Sequence, residues 1–360
     1  MRYRDGRESA LCAPGNPRNP LISSLMSLAA MLLVAVRAAS AAVPLPPAPA
    51  PAAKAEPVAP SHPVFWVMDD EPAIDHPESV WMGFASKKWA AVEAQVEERV
   101  RDIRRKEGRP DVTALEELRF LGRVHAREGS ARGKFGHQSD IWGYVSDRAR
   151  ILYGWKHAEW VLPVRHAPPH AQVSDDAAGG GDSADGYVTM WMNSPRHKEA
   201  ILWPENRFIG MAIGGKGGMA HLVFAGLTST ITRRVMALQP LYKSLETAKS
   251  ANAARPIMAG IVAAKEGSAF IRIAPLLADA DPEMRLLAVT GLLAIRTNVP
   301  EAFGPIFALV DMGLTSSDPE VVKRSADALA KITGRKFDTP DAWRAWWHAE
   351  CRGIIENAGM

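Results

Sequence analysis

Three side chains in this chain of 360 residues have the chemistry to form a site: His137, Glu159 and His197. Two imidazoles and a carboxylate are a donor set for a divalent, zinc-like ion that keeps an open coordination position. Without a metal, the carboxylate would orient one imidazole through a hydrogen bond. The three stand 22 and 38 residues apart, so only a fold can join them. His197 lies in WMNSPRHKEAIL, Trp191 to Leu202, which reads as a short helix. Ser194 is expected to cap it through its hydroxyl, and Pro195 suits the first helical position because it has no amide to satisfy. Pro204 ends it. The positive end of the helix favours the neutral imidazole, the form that binds a metal or accepts a proton.

The elements that must position these residues follow from periodicity. Ser86 to Lys106 is helical, with Trp89, Val92, Val96, Val100 and Ile103 on one stripe. Thr113 to Gly129 is a second helix carrying Leu115, Leu118, Leu121 and Val124, and His125 on it is expected to pack on a sheet. FIGMAIGG and GMAHLVFAGL form a hairpin turning between Gly214 and Gly218, with His221 inside its second strand. Residues 163–186 are rich in Gly, Asp and Pro and read as a low-complexity loop. Its His166, His170, Asp175, Asp176, Asp182 and Asp185 lack regular ligand spacing.

Four segments, in order, carry a resemblance: EERVRDIRRKEGRPDVTALEELRFLGRVHAREGSARGKFGH, AEWV, WMNSPRH and RFIGMAIGG. Together they resemble the bacterial branch of the CAP superfamily, the SCP-like extracellular domain, over roughly Ser86 to Leu227. His137 and His197 match the two histidines of that family's cleft, and Glu159 matches the glutamate of its Gly-Glu-Asn segment. The resemblance implies an α+β fold, a CAP-like α-β-α sandwich with a small antiparallel sheet, and a shallow cleft of His137, Glu159, Ser194 and His197. It implies His137 and His197 as metal ligands, with Glu159 as a third. Two positions depart from the pattern. Trp160 replaces the asparagine, and Ser194 stands where the eukaryotic cleft has a second glutamate.

Beyond about Pro240 the pattern becomes helical only. DPEMRLLAVTGLLAI from Asp281 and DPEVVKRSADALAKI from Asp318 align without gaps at an offset of 37 residues. Each begins with an aspartate cap, a proline and a glutamate. Paired helices at this period resemble HEAT-type repeats, which stack because one pair cannot bury its own apolar face. A weaker repeat surrounds Pro256. Trp343, Trp346 and Trp347 are expected to close the stack as core.

The start of the chain reads as an export signal. A basic stretch precedes LISSLMSLAAMLLVAV, and small residues around Ala39 to Ala41 offer cleavage sites. The apolar run is shorter than the ~20 residues of a spanning helix; a retained anchor is the alternative. The segments are therefore 1–42 signal, 43–61 Pro/Ala-rich linker, 62–230 CAP-like domain and 238–360 all-α HEAT-like solenoid. Five basic and two acidic residues fall before position 43, which leaves 38 of each sign from totals of 43 and 40. A near-neutral chain lacks the overall charge on which nucleic-acid binding rests. Only Cys351 remains after processing of a segment that includes Cys12, so no internal disulfide forms.

No nucleophile elbow, phosphate loop, Cys-x-x-Cys pair or HExxH helix is present. The expected function is an exported, non-enzymatic binding protein of the cell envelope. A divalent ion such as zinc is its candidate cofactor, a protein docks on its helical repeats, and an envelope component is a further candidate partner. The alternatives are a metal-assisted hydrolase of peptides or envelope polymers and, from eukaryotic relatives, lipid or sterol binding.

Overall fold

The computed structural model describes residues 67–68, 83–134, 136–139, 141–156, 175–178, 183–215, 217–226 and 229–358. The chain divides into two units, 1–59 and 60–360, and every described residue belongs to the second. The signal and linker expected before residue 62 therefore lie outside the described residues.

In chain order, strand β1 (Val67–Met68) pairs in parallel with β2 (Ala85–Ser86). Helix α1 (Lys87–Lys106) follows, then β3 (Thr113–Ala114), α2 (Glu116–Arg132) and α3 (Val145–Tyr153). Next come β4 (Asp175–Ala178), α4 (Ala184–Asn193), α5 (Pro195–Ile201), β5 (Phe208–Gly214) and β6 (Met219–Ala225). Four of these strands form one sheet in the order β3-β5-β6-β4. Strand β5 pairs antiparallel with β6, and β6 with β4, but β3 runs parallel to β5. The sheet is therefore mixed, where an antiparallel one was expected. Two residues of the segment read as helix from Thr113 belong instead to β3, because the amides of Thr113 and Leu115 bond to the carbonyls of Arg207 and Ile209. Strand β4 likewise lies inside the segment read as a loop. The free edge of β6 offers backbone partners that composition cannot foresee.

Alternation along the hairpin separates two cores. Ile209, Met211, Ile213, Leu222 and Phe224 pack with Trp89, Val96 and Val100 of α1 and Tyr187 and Trp191 of α4. Val223 and Ala225 face the other way, with Leu118, Leu121 and Val124 of α2. Helix α2 can lie close to the sheet because glycines meet there. A Cβ on Gly122 would come within 2.6 Å of the Ala212 Cβ, and one on Gly210 within 2.4 Å of the Arg119 nitrogen. The result is an α-β-α arrangement with the sheet in the middle.

The α2 side of the core continues without a break into the helices that follow: α6 (Ser229–Thr247), α7 (Ala251–Ala263), α8 (Pro282–Asn298), α9 (Pro319–Thr333) and α10 (Pro340–Ala358). Phe120 meets Phe270 edge to face at 5.4 Å, and Trp142 lies 5.2 Å from Phe307. The Phe303 amide donates to the Ile151 carbonyl at 2.9 Å. The two aligned segments are helices α8 and α9, and Asp281 and Asp318 accept from the amides of Glu283 and Glu320 at 2.9 and 3.0 Å. Their partner segments are short and irregular: Phe270–Ile273 with a 3₁₀ turn to Ala278, and Gly304–Ala308 with a π turn to Gly313. Trp343 and Trp347 are buried, and Trp346 packs against the same core. Cys351 is a buried free thiol. No helix among the described residues is long and apolar enough to cross a membrane.

Candidate functional site

Helix α2 ends on Gly133, whose left-handed backbone (φ 64°) turns the chain. The Lys134 amide then closes back on the Gly129 carbonyl at 2.9 Å. His137 follows at once. Beyond it Ser139 and Gly143 exchange both backbone bonds, at 3.0 and 3.1 Å. The Ser139 hydroxyl oxygen accepts from the Ile141 and Trp142 amides at 3.0 and 2.7 Å. His137 thus sits on a short loop tied at both ends, with its side chain exposed.

His197 is the third residue of α5, with Pro195 at the first position. Ser194 occupies the N-cap position, but its hydroxyl makes no capping bond. The expected cap is corrected here because Ser194 also terminates α4, donating its amide to Trp191, while its carbonyl accepts from Lys198. The other end of α5 is held from outside. Buried Arg104 of α1 donates to the carbonyls of Ile201 (2.6 Å), Trp203 (3.0 Å) and Asn206 (3.4 Å), and twice to that of Pro110. Asn206 adds a bond to the Ala200 carbonyl at 2.8 Å. These groups satisfy carbonyls that a helix end leaves unpaired.

The result is that two imidazoles 60 positions apart in sequence stand together. The His137 and His197 ring centroids are 5.9 Å apart, with the planes tilted by 50°. Ser194 lies three residues before His197, half-buried. Glu159, His157, Trp160, His166, His170 and Asp182 lie outside the described residues. Asp185 is spent in an ion pair with Arg99 at 2.8 Å. No group of three or more metal-ligating side chains occurs among the described residues.

Behind the site, buried charges that sequence reasoning had passed over hold the frame. Past Leu115 strand β5 has no strand on its β3 side among the described residues, and its next amides on that side would be bare. Glu97 accepts the Met211 amide and Glu93 the Ile213 amide, each at 2.9 Å. Each carboxylate also takes a two-pronged guanidinium, Arg119 on Glu97 and Arg123 on Glu93. Glu116 bridges both arginines. Burial alone would push the Glu116 carboxyl up, but Arg123 and then Arg119 pull it down to about 2. The available signal was the four-residue spacing of Glu93, Glu97 and, further along, Arg104 beside the apolar stripe of α1.

A second pair of histidines packs beneath the loop of His137. His125 of α2 and His221 of β6 are 3% and 0% exposed. Their rings stack with centroids 4.1 Å apart and planes 23° from parallel. A cavity of about 210 Å³ opens beside them, lined by His125, Glu128, Gly129, Lys134 and, from the loop, Gly136, Gln138 and Ser139.

Among solved structures, the chain is similar to an extracellular protein containing a SCP domain from Bacillus anthracis str. Ames, at 15% identity and a TM-score of 0.31, over 38% of this chain and 40% of that one. It is also similar to an outer surface protein from Borrelia burgdorferi, at 15% identity and a TM-score of 0.32, over 39% of this chain and 96% of that one. The match thus spans two fifths of the first of these chains. No curated protein matches the sequence. Residues 97–225, the stretch that carries both paired histidines, match the model of the cysteine-rich secretory protein family, the CAP family.

Proposed function

We propose that this is an exported binding protein of the cell envelope, whose CAP-like cleft captures its ligand at His137 and His197. The observation that carries this reading is the approach of the two rings to 5.9 Å. Nitrogens bound to one zinc at 2.0–2.1 Å place two imidazole centroids about 5 to 6 Å apart, so the pair suits a shared divalent ion. His137 and His197 would hold it, and Glu159 is the proposed third ligand. When bound, the ion supplies a Lewis-acidic centre with an open position. This chain's own contribution is to hold the two rings: the tied loop fixes His137, and Arg104 with Asn206 fixes the helix of His197.

The helices from Ala251 onward are read as HEAT-like units that dock a protein. Their support is the matched caps of α8 and α9 and a groove of about 360 Å³ across α7, α8 and α9, with Leu286 and Leu293 between Arg255, Arg324 and Lys331.

The test is zinc titration and elemental analysis of the full chain beside a His137→Ala/His197→Ala double variant, with a turnover assay on envelope peptides run in parallel. The expected result is one equivalent bound by the native chain, none by the double variant, and no turnover. Binding below about a tenth of an equivalent removes the metal reading. Turnover that disappears in His197→Ala replaces the binding protein with a hydrolase.

A further inference from the structure

We propose that the groove across α7, α8 and α9 receives an acidic amphipathic helix of a partner protein. This deepens, and rests on, the reading of these helices as protein-docking units. Two observations carry it: a second apolar stripe on α8, and cations on both sides of that stripe.

The stripe stands out against the aligned helix of the same chain. Helix α9 has the ordinary pattern of a helix on a core. Val321, Ser325, Ala328 and Leu329 are buried, while Lys323, Arg324, Asp327 and Lys331 are exposed. Helix α8 buries the matching face, with Met284, Ala288, Gly291 and Leu292. One such stripe is enough to seat a helix, yet the opposite side of α8 is apolar too. At the offset of 37 residues, Leu286 stands where α9 has Lys323, and Leu293 where α9 has Ala330. Both leucines are half-buried and line the groove of about 360 Å³.

Helix α8 packs between α7 and α9, so its leucines form the floor and the neighbouring helices the walls. Arg255 lines the groove from α7, and Arg324 and Lys331 line it from α9. All three are exposed. Arg324 spends its Nε on Glu320, one turn earlier, at 2.8 Å; such a surface pair contributes little, and the guanidinium has further donors. Glu283 and Asp327 also line the groove. A continuous polyanion such as nucleic acid would meet repulsion from them. A helix can instead set single carboxylates against the three cations and polar side chains against the two acids. Leu286 and Leu293 are two turns apart, about 10 Å along the axis. That is the spacing of apolar side chains at i and i+7 on a helix laid alongside. The floor is recessed, and the large apolar side chains that protrude among the described residues, Tyr144, Met190 and Met236, lie outside these three helices. The shape therefore suits an inserted helix face rather than a bilayer.

The test uses the full chain and a labelled helical peptide of about 17 residues. The peptide carries leucines in the i, i+4, i+7 pattern and glutamates on both flanks. A twin carries lysine for every glutamate, and fluorescence anisotropy reads both affinities. The glutamate peptide should bind at least about tenfold more tightly than its twin, and salt should weaken it. Leu286→Lys/Leu293→Ala, which gives α8 the residues of α9, should weaken it by at least about tenfold, as should Arg255→Ala/Lys331→Ala. Melting curves establish that the variants fold; should the leucine variant not fold, the rim variant decides. Preference for the lysine twin, or unchanged affinity in a folded variant, overturns the inference and leaves the docking reading standing. Binding of neither peptide removes both. Dimers in sedimentation that Leu286→Lys dissolves would give the groove to a second copy of this chain. Binding to phosphatidylglycerol vesicles that the same variant abolishes would give it to a membrane. Either result overturns the inference, and none of these outcomes bears on the zinc titration of the cleft.

Discussion

Replacing Arg104 with methionine tests whether the helix of His197 is held from outside. The guanidinium makes five bonds to four carbonyls, one on the last residue of α5 and two in the turn after it. Methionine matches much of the stem's volume but donates nothing. Four carbonyls then lose a partner, at about 1 kcal/mol each, for a gross loss of about 4 kcal/mol. An opposing effect is real. Burial, and next the neighbouring Arg207, lower the Arg104 pKa to about 10, so the charge is itself disfavoured there. Removing a buried charge returns about 1–2 kcal/mol. The lost bonds win, and the net destabilisation should be about 2–3 kcal/mol. It should also be local: amides of residues 198–202 should exchange faster relative to those of α9. Urea unfolding and hydrogen exchange read the two effects. A stability loss below about 1 kcal/mol, or α5 protection equal to that of the native chain, would refute the argument.

Two further outcomes are expected. Burial pushes the Glu117 carboxyl up, with Arg272 opposing it; burial likewise raises Glu266 against its bond from Trp155. A carboxyl whose folded pKa is raised contributes stability that is complete below the unfolded value of about 4.3 and fades as pH rises through the folded one. Glu117→Gln should therefore flatten the decline in stability as pH rises above about 4.3, and an unchanged slope in urea titrations would contradict that assignment. Trp155→Phe removes the 2.6 Å bond from the indole to Glu266. It should cost about 1–3 kcal/mol and raise the Glu266 pKa further, and a melting curve matching the native one at every pH would count against it.

Much of the scaffold could be read along the chain. The stripe of Trp89, Val96 and Val100, the hairpin of β5 and β6 and the capped helices after Asp281 and Asp318 depend on neighbours within about a turn or a hairpin. Local rules reach that far, and the buried positions match them. Local rules mislead where a distant backbone intervenes. Thr113–Ala114 looked helical and Asp175–Ala178 looked like loop, yet each pairs with a strand that supplies free hydrogen-bonding groups.

Charge shows the same boundary. Glu93, Glu97, Arg104, Arg119 and Arg123 carry the composition of a solvated helix face, but all are buried. Glu93, Glu97 and Arg104 take main-chain amides and carbonyls about a hundred residues away, left over where β5 loses its β3 neighbour and α5 ends, and Arg119 and Arg123 pair with the two carboxylates. The chain by itself determined which side chains have site chemistry, and the CAP-type order of its motifs. The fold decided that His137 and His197 face each other, that His125 and His221 stack beneath them, and that the carboxylates seal an edge. Each is a contact between segments remote in sequence, and such contacts exist only once the sheet has fixed where its unpaired groups and its open faces lie.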